Sequence, residues 1–154
     1  KVWDALMDGE MTKQFWGFHK NVSDWKVGSP WSHQDYETGA VAVVGTVLES
    51  DRPRRLSLTW GHPDDAARAE EPTRVTFDIA SFMGSVKLTV THEGLEPASP
   101  RGRGTVEGWQ AIISSLKTLL ETGKPLPATA QRWSGPPKPA RDERRRSGRS
   151  PTAA

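Results

Sequence analysis

Residues 105–123 read TVEGWQAIISSLKTLLETG, and the spacing of their apolar side chains decides the fold. Val106, Trp109, Ile112, Ile113, Leu116, Leu119 and Leu120 recur at steps of three and four. That is the period of one helix face, so the segment predicts an amphipathic helix whose apolar stripe is wide enough to lie on a sheet. Thr105 reads as its N-cap and Glu107 favours the first turn, while Gly123 and then Pro125 supply the stop.

Upstream the period changes to two, the signature of half-buried strands. Leu56, Leu58 and Trp60 alternate with Arg55, Ser57 and Thr59. Val75, Phe77 and Ile79, then Val86, Leu88 and Val90, flank a turn at Gly84 and read as a hairpin. Ala40 to Glu49 predicts a long valine-rich strand in which Gly45 marks a bulge or bend. Earlier still, Trp25 and Val27 alternate with polar residues before a turn at Gly28, Ser29 and Pro30, and Trp31 to Tyr36 is β-rich. Two short helices open the chain: Val2, Trp3 and Leu6 share one face, and Asp8 caps a second helix with Met11 and Phe15, ended by Gly17. Helix, helix, about six strands and a long helix predict an α+β fold, an antiparallel meander covered by the terminal helix.

Composition sets outer limits. With 154 residues a single domain plus tails is expected. Hydrophobic residues make up only 34%, which fits a segment that contributes nothing to a core. Residues 127–154, rich in proline and arginine, are that segment, and disorder is expected there. The last 24 residues carry a formal +5 against −3 for the rest, so the basic balance belongs to the tail and no nucleic-acid-binding face is expected on the domain. There is no cysteine, which removes disulfides, thiolate catalysis and cysteine-ligated zinc. The longest apolar run, Ala40 to Val44, is far too short to cross a membrane, and a soluble, cytoplasmic domain is expected.

Six blocks carry a resemblance. KVWDALMDGEMTKQFWG (1–17), DWKVGSPW (24–31), VVGTVLESDRPRRLSLTW (43–60), RVTFDI (74–79), VKLTVTHEG (86–94) and GWQAIISSLKTLLETGKPL (108–126) follow one another in order. They resemble the activator of heat-shock-protein-90 ATPase homologue-like domains, within the START and birch-pollen-allergen helix-grip superfamily. The resemblance covers residues 1–126 and implies a curved antiparallel sheet wrapped on the long C-terminal helix, with a cavity between them. Such domains usually begin with a strand ahead of the first helix, and that strand is missing from this sequence. Extending the chain upstream by ~15 residues, about two short elements, is expected to raise the melting temperature.

The chemistry-bearing residues are few. His19, His33, His62 and His92 are scattered without the HExxH spacing of a zinc site, so no metal, and no cofactor, is expected. His33 and Asp35, two apart on one strand, share a face and form the one acid–base pair worth considering, yet nothing distinguishes them from two solvated polar residues. The seven tryptophans matter more. Trp16, Trp31, Trp60 and Trp109, with His33, Phe77, Ile113 and Leu116, are expected to line an apolar pocket, and packing alone would bury the same side chains. RRRSGR reads as a solvated basic run. The expected function is a non-enzymatic binding domain for a small hydrophobic or aromatic molecule. The alternatives are a co-chaperone that stimulates the heat-shock protein 90 ATPase through protein contacts, and a cyclase- or hydrolase-like enzyme using His33 and Asp35.

Overall fold

The computed structural model describes residues 1–68 and 70–132. Helices α1 (Val2–Met7) and α2 (Gly9–Phe15) are followed by strands β1 (His19–Val22), β2 (Pro30–Asp35), β3 (Val41–Asp51), β4 (Arg55–Trp60), β5 (Thr73–Phe82) and β6 (Ser85–Glu93), then by α3 (Pro100–Thr122). The strands pair in sequence order, all antiparallel, as one curled sheet that makes a half-barrel. This is the expected helix-grip α+β arrangement. Helix α3 buries Trp109, Ile112, Leu116 and Leu119 in the same core as Val43, Val47, Leu58, Val75 and Phe77 of the sheet and Phe15 of α2.

Local chemistry explains the helix ends. Asp8 accepts from the Glu10 amide and caps α2 as expected. Helix α3, however, begins more than a turn before Thr105: Ser99 is the cap, accepting from the Gly102 amide at 3.0 Å, and Pro100 follows it. Gly102 and Gly104 disguise this start, because glycine inside a helix reads as a break. Gly102 is instead needed for contact, since a β-carbon there would collide with the Glu96 carbonyl. Gly123, left-handed at φ 80°, closes the other end as expected.

Two strand expectations are corrected. Trp25 and Val27 lie in the loop between β1 and β2, with Trp25 at a positive φ of 61°, so their alternation does not mark a strand. Gly45 is not a bulge, because register shifts fall between His33 and Gln34 and between Val47 and Glu49. Its role is passage: the Trp31 indole N–H reaches across β3 to the Thr59 carbonyl at 2.8 Å, directly over Gly45.

The expected tail boundary also moves. Residues 127–129 form a 3₁₀ turn, and the buried Thr129 hydroxyl donates to Ser115 Oγ at 2.6 Å while its carbonyl accepts from Gly17 N–H at 2.8 Å. Residues 125–132 thus run as a strap from the end of α3 to the turn after α2, because two buried groups, the Ser115 hydroxyl and the Gly17 amide, need partners. The rest of the expected tail, 133–154, lies outside the described residues.

Gly45→Ala should lower stability by about 2–3 kcal/mol in a denaturant titration, since the added carbon would sit 2.5 Å from the Trp31 indole nitrogen and inside the contact radius of the Thr59 carbonyl. An unchanged midpoint would show that Trp31 does not cross the sheet there.

Candidate functional site

The concave face of the sheet under α3 is furnished with rings. Alternation on β2 turns Trp31, His33 and Asp35 inward, and β4, β5 and α3 contribute Trp60, Phe77 and Trp109. Trp16 enters from the end of α2, where the turn through Gly17 (φ 61°) and Phe18 (φ 60°) reverses the chain. It sits at the centre: its ring centroid lies 4.9 Å from His33, 5.3 Å from Trp109, 6.3 Å from Trp60 and 6.4 Å from Phe77. Trp60 in turn lies 5.4 Å from Trp31 and 5.5 Å from Trp109. Six of the eight residues expected at the site therefore form one contiguous ring cluster. Leu116 is buried in the same core, and Ile113 packs half-buried against it. The rings occupy much of the space between sheet and helix. Open surface clefts of about 490 Å³ beside Val22, Pro30 and Val44 and of about 590 Å³ beside Val2, Ile79 and Val86 lie elsewhere on the domain.

Several polar groups in the cluster have identified partners. His92, which belongs to no motif in the sequence, fastens the helix to the sheet: Trp109 Nε1 donates to its Nδ1 at 3.1 Å, and its Nε2 lies 2.7 Å from Thr73 Oγ1. Thr73 donates to the Trp60 carbonyl at 3.1 Å, so its oxygen accepts from His92 Nε2–H and the tautomer is fixed. His33 is held by Asn21, whose Oδ1 lies 2.8 Å from its Nδ1, and His19 stacks on it at 4.7 Å and 11°. Burial, reinforced by the neighbouring His19 charge, pushes His33 down to about 3. Burial and the Arg101 charge lower His92 to about 4. Both are neutral imidazoles at physiological pH.

Asp35 faces the same way as His33 yet serves another structure. Its Oδ1 caps the Glu37 and Thr38 amides, and Arg132 of the strap donates from Nε to its Oδ2 at 2.7 Å and from Nη2 to its Oδ1 at 3.3 Å. The Arg132 guanidinium, helped by the Thr38 amide, holds this carboxyl well below the usual carboxylate range. Arg132 also pairs with Glu37 and lies 5.0 Å over the Phe18 ring. The acid–base pair considered from sequence is therefore not assembled, since His33 is bonded to an amide and Asp35 to a guanidinium. Among the described residues no three histidine or carboxylate side chains converge as a metal-ligand set, and no helix is long and apolar enough to cross a membrane.

The histidine shifts give a pH dependence with a definite sign. The unfolded chain takes up protons near the ordinary histidine value, about 6.5, which the folded chain refuses until about 4 at His92 and about 3 at His33. Stability should be full above about pH 6.5 and fall on acidification through that window, with Asp35 adding to the loss below the ordinary carboxylate range. Chemical denaturation across pH should show this slope, and His92→Gln should flatten part of it; a flat wild-type profile would contradict the neutral-imidazole assignment.

No curated protein matches the chain. Among solved structures, protein MLL2253 from Mesorhizobium loti superimposes with a TM-score of 0.63 at 23% identity, over 78% of this chain and 86% of that one. The solution structure of CalU16 from Micromonospora echinospora gives 0.66 at 16% identity, over 90% and 69%. DynU16, a protein of the dynemicin biosynthetic locus, gives 0.62 at 21% identity, over 80% and 43%. At these identities the likeness establishes the fold. The family model described as activator of Hsp90 ATPase homolog 1-like protein matches residues 1–121, and the chain belongs to that family.

Proposed function

We propose that this domain holds a small aromatic or hydrophobic molecule between the sheet and α3 without transforming it. The observation that carries the reading is the ring cluster around Trp16, mainly apolar, with its indole N–H groups at Trp31 and Trp109 already bonded inside the protein. Ligand sites are mostly apolar surfaces with a few placed polar groups, and this cluster has that make-up. Trp60 and His19 are its half-exposed members, so an incoming ring would replace their contacts first. The separate engagement of His33 and Asp35 speaks against the enzymatic alternative. Occurrence of a structural neighbour in a biosynthetic locus is compatible with binding of a small organic molecule.

Titration with neutral naphthalene-type compounds should change tryptophan fluorescence saturably and shift the indole N–H signals of Trp16, Trp60 and Trp109 in an NMR spectrum. No saturable change at any of these indoles would refute the reading. Stimulation of a purified heat-shock protein 90 ATPase by the domain, with no ligand response, would favour the co-chaperone alternative that the family description suggests.

A further inference from the structure

Resting on that binding reading, we propose that the strap is the latch of the site: residues 125–132 hold the Gly17–Phe18 turn in place, and its release lets Trp16 leave the cluster so that the bound ring takes its position against Trp60.

The interior has to open before it can hold a guest. The rings occupy much of the space between sheet and α3, and the clefts described above lie elsewhere, so a ring must move. The other rings are carried by regular elements: Trp31 and His33 by β2, Trp60 by β4, Phe77 by β5 and Trp109 by α3. Trp16 is carried by a turn. It follows α2 with φ −130° and ψ 55°, and the next two residues, Gly17 and Phe18, both have left-handed backbones, which a phenylalanine adopts only under constraint. Trp31 and Trp109 are also tied through their indole nitrogens, whereas the Trp16 indole N–H has no hydrogen-bond partner among the described residues. Packing alone holds that ring, stacked on Trp60 at 6.3 Å and 13°.

The strap restrains the turn from outside. The Gly17 amide donates to the Thr129 carbonyl at 2.8 Å, and Thr129 is fastened to α3 through Ser115. Arg132 lies 5.0 Å over the Phe18 ring while its guanidinium spans Asp35 and Glu37. On the sheet side the Tyr36 amide donates to the Phe18 carbonyl at 3.0 Å, and this tie is the pivot that remains when the strap lets go. Both half-exposed contacts that an incoming ring meets lie on the same segment: Trp60 stacks on Trp16, and His19, stacked on His33, directly follows Phe18. Outward movement of the turn removes both together and leaves a place the size of one indole. Apparent affinity is then reduced by the small fraction of open molecules, so weakening the strap tightens binding. A strap that served stability alone would leave affinity unchanged or lower it.

Calorimetric titration of the full chain with 2-naphthol tests this without relying on tryptophan emission. Arg132→Gln, at a half-exposed guanidinium, should tighten binding by about two- to fivefold, the range of such an ion pair. Hydrogen exchange at the Gly17 amide should accelerate by a similar factor while amides in the middle of β4 keep their rates. Trp16→Ala vacates the place permanently, so it should bind more tightly than wild type, and adding Arg132→Gln to it should bring no further gain. Should Trp16→Ala fail to fold, the affinity and exchange of Arg132→Gln decide. Unchanged or weaker binding by Arg132→Gln, an unchanged Gly17 exchange rate, or the same gain with Trp16 already removed overturns the latch and leaves the binding reading standing. Absence of saturable binding by wild type, Arg132→Gln and Trp16→Ala alike overturns the binding reading, and the latch with it.

Discussion

A buried indole N–H is stabilised by an acceptor, and at Trp31 and Trp109 that requirement organises the interior of this domain. Trp31 satisfies it by reaching across β3 to the Thr59 carbonyl, which requires a residue without a side chain at position 45. Trp109 satisfies it through His92 and Thr73, ending on the Trp60 carbonyl. Each solution joins elements distant in sequence: β2 to β4 in one case, α3 to β6, β5 and β4 in the other. An unpartnered buried donor costs about 1–3 kcal/mol, while each well-placed ring pair adds about 0.5–1.5 kcal/mol beyond its buried area. At Trp31 and Trp109 the rings give cohesion with their polar edges accommodated, and the Trp109 tie helps set how the long helix sits on the sheet.

The same strand face carries two titratable groups with opposite fates. His33 and Asp35 are neighbours on the concave side of β2, both nearly buried. His33 is surrounded by rings and an amide, an environment that favours its neutral form. Asp35 is surrounded by two turn amides and a guanidinium, which favours its charge. Proton traffic between them has no bonded route.

Much of this was legible in the sequence because it depends on periodicity. The step of three and four from Trp109 to Leu120, the alternation through Leu56, Leu58 and Trp60, and the hairpin around Gly84 gave the helix, strands and topology, and the inward tryptophans followed from the same alternation. What stayed hidden depends on distance in space. Gly45 and Gly102 are required by atoms contributed from Trp31, Thr59 and Glu96, so their spacing along the chain says only that glycine is present. The partners of His33 and His92 come from other strands and the helix, which no local pattern encodes. Trp25 and Val27 mimic a strand by alternating, yet a left-handed backbone at Trp25 breaks it. The strap after α3 has too few apolar residues to announce itself, since it is held by Thr129 and Arg132 through hydrogen bonds and charge.

That strap sets where the domain can be cut. Trimming the basic extension at Leu126, the point composition recommends, would also take the Thr129 hydroxyl from Ser115 and the Thr129 carbonyl from Gly17, and leave Asp35 without its guanidinium. A weakened product would then reflect lost internal ties and not the missing arginine run. Excision after Arg132 keeps the two effects apart, and a label attached there would report from beside the Asp35 end of the β2 strand.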